Sequence, residues 1–83
     1  MKGSLDKLKD NLGEAFKDTE IIVDSVEFTK NGNYHFLTVT LDKVGGIDLE
    51  TIVDATKVVN EVVDRMDITD DSYILDVVSK ERG

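Results

Sequence analysis

The chain has no cysteine and a single histidine among its 83 residues. No disulfide can staple it, no thiolate can serve as a nucleophile, and one His without Cys cannot complete the ligand set of a zinc site. Long apolar runs are also missing. Nothing approaches the roughly 20 residues that a membrane span needs, and the opening Met1-Lys2-Gly3-Ser4-Leu5-Asp6 lacks the apolar stretch of a signal peptide. The expectation is a soluble, cytoplasmic protein. Basic residues are scarce, 10 Lys+Arg against 18 Asp+Glu, for a net charge of −8. What is present is enough for one thin core: 40% of the residues are hydrophobic, and a chain of 9.2 kDa hides only about 63% of its unfolded surface on folding.

The acidity is unevenly spread. Up to Lys43 six basic residues face eight acidic ones, whereas from Asp48 onward four basic residues face ten. Within Glu61 to Asp71 lie Glu61, Asp64, Asp67, Asp70 and Asp71, with Arg65 as the one cation. A phosphate backbone rewards clustered Lys and Arg, so direct nucleic-acid binding along this surface is disfavoured. A solvated acidic face that keeps a small domain soluble is the simpler reading, and a docking surface for a basic protein the sharper one.

Local pattern predicts five elements. Ser4 is a good N-cap for a helix over 4–17, with Leu5, Leu8, Leu12 and Phe16 at spacings of three and four. Gly13 weakens that helix, which must lean on what it packs against. β-Branched and aromatic residues from Ile21 to Thr29, then Asn31-Gly32, then alternation from Tyr34 to Leu41 predict a hairpin. With Asn31 and Gly32 as the two central residues of a type I′ turn, Lys30 pairs with Asn33, Phe28 with His35, Val26 with Leu37 and Ile22 with Leu41. In that register Asp24 opposes Val39, and a bulge near Asp24 and Ser25 is needed to turn the carboxylate out. After a glycine connection, Asp48 caps a second helix over 49–66, in which Ile52, Ala55, Thr56, Val59, Val62, Val63 and Met66 recur at helical spacing. Its valines make it depend on burial. Residues 67–72 read as a polar turn and 73–78 as a third strand. The order αββαβ gives an α+β fold class: a two-layer domain, a three-stranded sheet with two helices on one face.

No motif supplies chemistry. Gly45-Gly46 before a helix invites a phosphate site, but no Gly-x-Gly-x-x-Gly or Lys-Ser/Thr follows, and Asp48 and Glu50 already occupy the positive helix end. The pair reads instead as a turn that lets the chain bend close to the sheet. Asp67-x-Thr69-x-Asp71 has the opening spacing of a calcium loop, yet Ser72 and Val78 stand where glycine and a bidentate glutamate are required. His35 has no visible partner for catalysis and reads as a half-exposed sheet residue. No catalytic residue, metal ligand, cofactor or small-molecule substrate is expected, and an enzyme is not. KH-type RNA binding is opposed by the acidic balance and the lack of a Gly-x-x-Gly clamp, leaving at most weak contact through Lys43.

Three short patterns in order, Val26-Glu27-Phe28, then Leu37-x-Val39-x-Leu41-Asp42-Lys43-x-Gly45-Gly46-Ile47-x-Leu49-Glu50, then Tyr73-x-Leu75-Asp76-Val77-x-Ser79, resemble the N-terminal domain of the ribosome maturation factor RimP family. The resemblance implies a bacterial assembly factor that binds the immature small ribosomal subunit. It also implies an SH3-like second domain, which is not expected within residues 1–83; these are expected to form one N-terminal-like domain. The strand exit departs from the family's Ser-Ser-Pro-Gly run, reading Val78-Ser79-Lys80-Glu81. Basic ribosomal proteins are then the expected partners. The expected contact residues are Asp42, Lys43, Gly45, Gly46 and Asp48 in the glycine loop and Glu61, Asp64, Asp67, Asp70 and Asp71 in the acidic stretch. A stand-alone structural module that self-associates through strand edges is the alternative.

Overall fold

A computed structural model describes residues 5–67 and 72–80. Its order is α1 (Leu5–Ala15), β1 (Ile22–Asn31), β2 (Tyr34–Asp42), α2 (Leu49–Met66) and β3 (Ile74–Ser79). The expected α+β class and element order hold. The proposed cap Ser4 and much of the turn over 67–72 lie outside the described residues.

The sheet order is β1-β2-β3, with β1 antiparallel and β3 parallel to the central β2. A hairpin supplies the first pairing, and α2 is the crossover that a parallel third strand requires. On one face of β2, Leu37, Val39 and Leu41 are fully buried beneath Leu8, Leu12 and Phe16 of the α1 region and Ala55, Val59, Val62 and Val63 of α2. Helix α1 packs over β1, α2 over β3, and the helices touch each other. That arrangement explains why the valine-rich α2 is helical: its stripe of β-branched residues fills the core, and burial outweighs their local preference.

Two details differ from the expectation. Helix α1 ends at Ala15, because the Thr19 hydroxyl and backbone N–H both donate to the Phe16 carbonyl, at 2.7 and 2.9 Å, and pull the chain out of the helix. Phe16, just beyond, is still buried. The hairpin register is also shifted by two: Asn31 pairs with Tyr34, Lys30 with His35, Phe28 with Leu37 and Val26 with Val39. Gly32 and Asn33 are the central residues, and only Gly32 has positive φ, +65°. Glycine in the first central position is the pattern of a type II′ turn, which fits strand twist as well as type I′ does and spares Asn33 a left-handed conformation. The expected lateral pair of Phe28 with His35 is therefore diagonal, yet the rings stack with centroids 5.5 Å apart. The bulge is where Asp24 required it, between Val23 and Ser25.

Because side chains alternate along a strand, the register defines the face opposite the helices. Its rungs are Thr29–Phe36–Ile74, Glu27–Thr38–Asp76 and Ser25–Thr40–Val78. No element covers them among the described residues.

Candidate functional site

The loop between β2 and α2 is ordered by its own backbone. The Lys43 N–H donates to Asp42 Oδ1 at 2.8 Å, and the Gly46 N–H donates to the Lys43 carbonyl at 2.9 Å. The second bond closes a turn whose third residue, Gly45, has φ +88°, the type II requirement. Gly46 follows at φ +93° and aims Ile47 back at the core. Open space surrounds the position of a Cβ at either glycine. They serve backbone handedness, then, and the expected close approach to the sheet is not their reason.

Asp48 is the N-cap of α2, its Oδ1 accepting from the Thr51 N–H at 2.8 Å. The hydrogen bonds from Thr51 hold its carboxyl below the ordinary carboxylate value, with Lys43 a lesser influence. Lys43 Nζ lies 3.8 Å from Glu20 Oε2, so the loop's one cation already has acidic company. With Asp48 and Glu50 at the helix start, the geometry opposes an anion there.

The acidic stretch sits at the other end of α2. Glu61 and Asp64 are exposed on the helix, and Asp67 is its C-cap, left-handed at φ 48°, with its N–H on the Val63 carbonyl. Asp64 lies near Tyr73, whose phenol is pushed above its usual value by burial first and that carboxylate second. Asp70 and Asp71 lie outside the described residues, as does most of the Asp67-x-Thr69-x-Asp71 spacing. From Asp48 to Asp67 the helix spans about 28 Å. The described members of the two sets, Asp42 to Asp48 and Glu61 to Asp67, therefore lie toward opposite ends of one rod.

Two features escape the sequence reading. Val44, at the corner of the glycine turn, and Leu49, first in α2, are 80% and 79% exposed. Leu49 has the helical spacing of Ile52 and Thr56, yet it stays exposed while Ile52 packs against the core. Ile22, Tyr34 and Ile74 are further exposed large apolar residues, all on the uncovered sheet face. Among the described residues no three His, Cys, Asp or Glu side chains converge to hold a metal. No helix there is long and apolar enough to cross a membrane.

The sequence model of the RimP N-terminal domain matches residues 11–80, which takes in all of the sheet, all of α2 and the glycine loop.

Proposed function

The chain belongs to the RimP N-terminal domain family, and from that premise we propose that it is a non-catalytic docking domain that binds the immature small ribosomal subunit in the cytoplasm. It is a ribosome maturation factor-like domain, and its mechanism is contact rather than chemistry. The single observation that carries the reading is the family match over 11–80. The glycine loop supports it locally: Val44 and Leu49 stand exposed on a turn braced by the Asp42, Lys43 and Asp48 hydrogen bonds, so little loop entropy is lost when a partner covers them. Basic ribosomal proteins are the electrostatically suited partners of a −8 chain, with encounter accelerated at low salt.

Co-sedimentation with immature small subunits tests this. The chain is expected to pellet with them, and Val44→Asp/Leu49→Asp to pellet less at equal folding. A chain that stays in the supernatant at every salt concentration overturns the reading. The strand edges favour one alternative: β1 and β3 are each paired on one side only, an arrangement open to self-association. Light scattering showing a dimer at micromolar concentration, without subunit binding, would select it.

A further inference from the structure

We propose that the uncovered face of the sheet is a second docking surface, and that its occupant is a short basic polypeptide segment carrying apolar side chains. This surface is distinct from the glycine loop and from the acidic end of α2, and it borrows from the small-subunit reading only the choice of probes.

The ladder fixes the composition of the face. Phe36 on the central strand lies between Thr29 and Ile74, and Val78 lies two rungs away beside Thr40. Between these apolar rungs runs Glu27–Thr38–Asp76, with both carboxylates exposed on the outer strands. Two strand spacings set them about 10 Å apart across the Thr38 hydroxyl. Among the described residues the cation that reaches this face is Lys80, held by Asp24 at 3.0 Å. The result is a face with Phe36 and Ile74 on one side and Val78 on the other of a band carrying two carboxylates, so that apolar contacts and a charge set for a positive partner lie side by side.

The same features decide against other occupants. A second copy would set Glu27 and Asp76 against their own equivalents, and like charges directly opposed are repulsive. The part of the face that spans all three strands is as long as the 6-residue β3 and covers roughly 14 × 20 Å, short of the ~800 Å² per partner that a stable protein interface buries. A polypeptide segment fits that footprint and a folded dimer does not. RNA is repelled by the two carboxylates, and among the described residues the face offers a phosphate only Lys80, which Asp24 already holds.

The test titrates individually purified basic small-subunit ribosomal proteins into the isotopically labelled 83-residue chain at 50 mM salt and follows backbone amides by NMR. At least one protein should give saturable shifts centred on residues 25–29, 36–40 and 74–78. Glu27→Lys/Asp76→Lys and, separately, Ile74→Ser should each weaken that binding tenfold or more while leaving the thermal midpoint within a few degrees. All three positions are exposed, and unchanged melting keeps the result interpretable. Raising salt to 300 mM should weaken the wild type and leave the charge-reversed variant little affected. Absence of shifts with every protein at 0.1 mM overturns the proposal. So do shifts confined to 42–49 or to α2, undiminished affinity in both variants, or shifts of these rungs on concentrating the chain alone, which would identify a second copy. Wild-type co-sedimentation with subunits alongside unaltered pairwise binding by the variants would sink this proposal and leave the small-subunit reading intact. Pairwise binding at these rungs without co-sedimentation would do the reverse.

Discussion

Lys80, just past the end of β3, reaches over the central strand to Asp24 in the bulge of β1, Nζ to Oδ1 3.0 Å. The bulge that turns Asp24 out of the core thus also gives its carboxylate a partner, and the two edge strands are tied across β2. Both side chains are partly open to solvent, 48% and 35% exposed, which limits the gain. Exposed pairs contribute about 0.2–1 kcal/mol. Lys80→Ala and Asp24→Asn should each lower unfolding free energy by no more than that, and the loss should shrink toward zero in 1 M salt. Urea titrations at low and high salt provide the check.

Among the described residues Gly13 is the one glycine with no evident conformational duty. It lies within α1, has no positive φ, and a Cβ there meets open space. Its cost relative to alanine is therefore uncompensated by packing. Gly13→Ala should stabilise the domain by about 0.5–1 kcal/mol, seen as a higher urea midpoint at unchanged slope.

Gly45 and Gly46 should behave oppositely. At φ +88° and +93° each holds a backbone conformation that L side chains rarely adopt, although space for a methyl is available. Gly45→Ala and Gly46→Ala should each cost about 1–3 kcal/mol from strain alone, and the pair should lose the turn bond from the Gly46 N–H to the Lys43 carbonyl. Amide exchange at residue 46 reports that loss directly, and its persistence in both variants would refute the strain argument.

How far the sequence carried depends on the kind of signal. The helical stripe of α2, its cap at Asp48 and the bulge at Asp24 were legible because each follows from a local rule with one physical outcome: a period, an orphan N–H, or a buried carboxylate to be avoided. The hairpin register was not, since Asn31-Gly32 and Gly32-Asn33 both make acceptable two-residue turns. The choice is settled by packing Phe28 against Leu37 and Val26 against Val39 on the core face. Sheet order was equally out of reach, because nothing in β3 itself marks which edge of the hairpin it joins. Of the candidate site, the glycine loop and α2 carboxylates were found as residues, but their separation by the length of α2 is a tertiary fact. Val44 and Leu49 were missed because an apolar letter predicts burial until the loop around it is placed.

The core is shallow enough that one methylene-rich side chain matters greatly. Leu37 is fully buried in the central strand, between Phe28 of β1 and Leu75 of β3. Truncation there leaves a cavity that flanking strands cannot close without breaking the ladder. Leu37→Ala should cost about 2–5 kcal/mol, a large part of the stability an 83-residue domain commands. Calorimetry should find the variant's transition far lower or absent, whereas Thr38→Ser on the opposite face should melt within a few degrees of wild type.

Asp48 links the glycine loop to acid stability. Its folded-state pKa is held below the ordinary value of 3.8 by the Thr51 hydrogen bonds. A carboxyl whose pKa is depressed by folding binds its proton more readily in the unfolded chain, so it stabilises the fold above the unfolded pKa, and that contribution fades as pH falls from there through the folded pKa. Asp48→Ala removes the capping acceptor and the favourable charge at the start of α2. The variant should melt below wild type at pH 7, and the gap should narrow as the medium is taken below pH 3.8, where the native carboxyl loses its charge. Asp48→Asn keeps an acceptor without the charge, so its midpoint should fall between the two at pH 7 and vary less with acid than that of wild type. Thermal melts of the three proteins from pH 7 down to pH 2.5 decide the point: parallel curves across that range would show that the ionised cap contributes nothing to holding α2 and the loop before it.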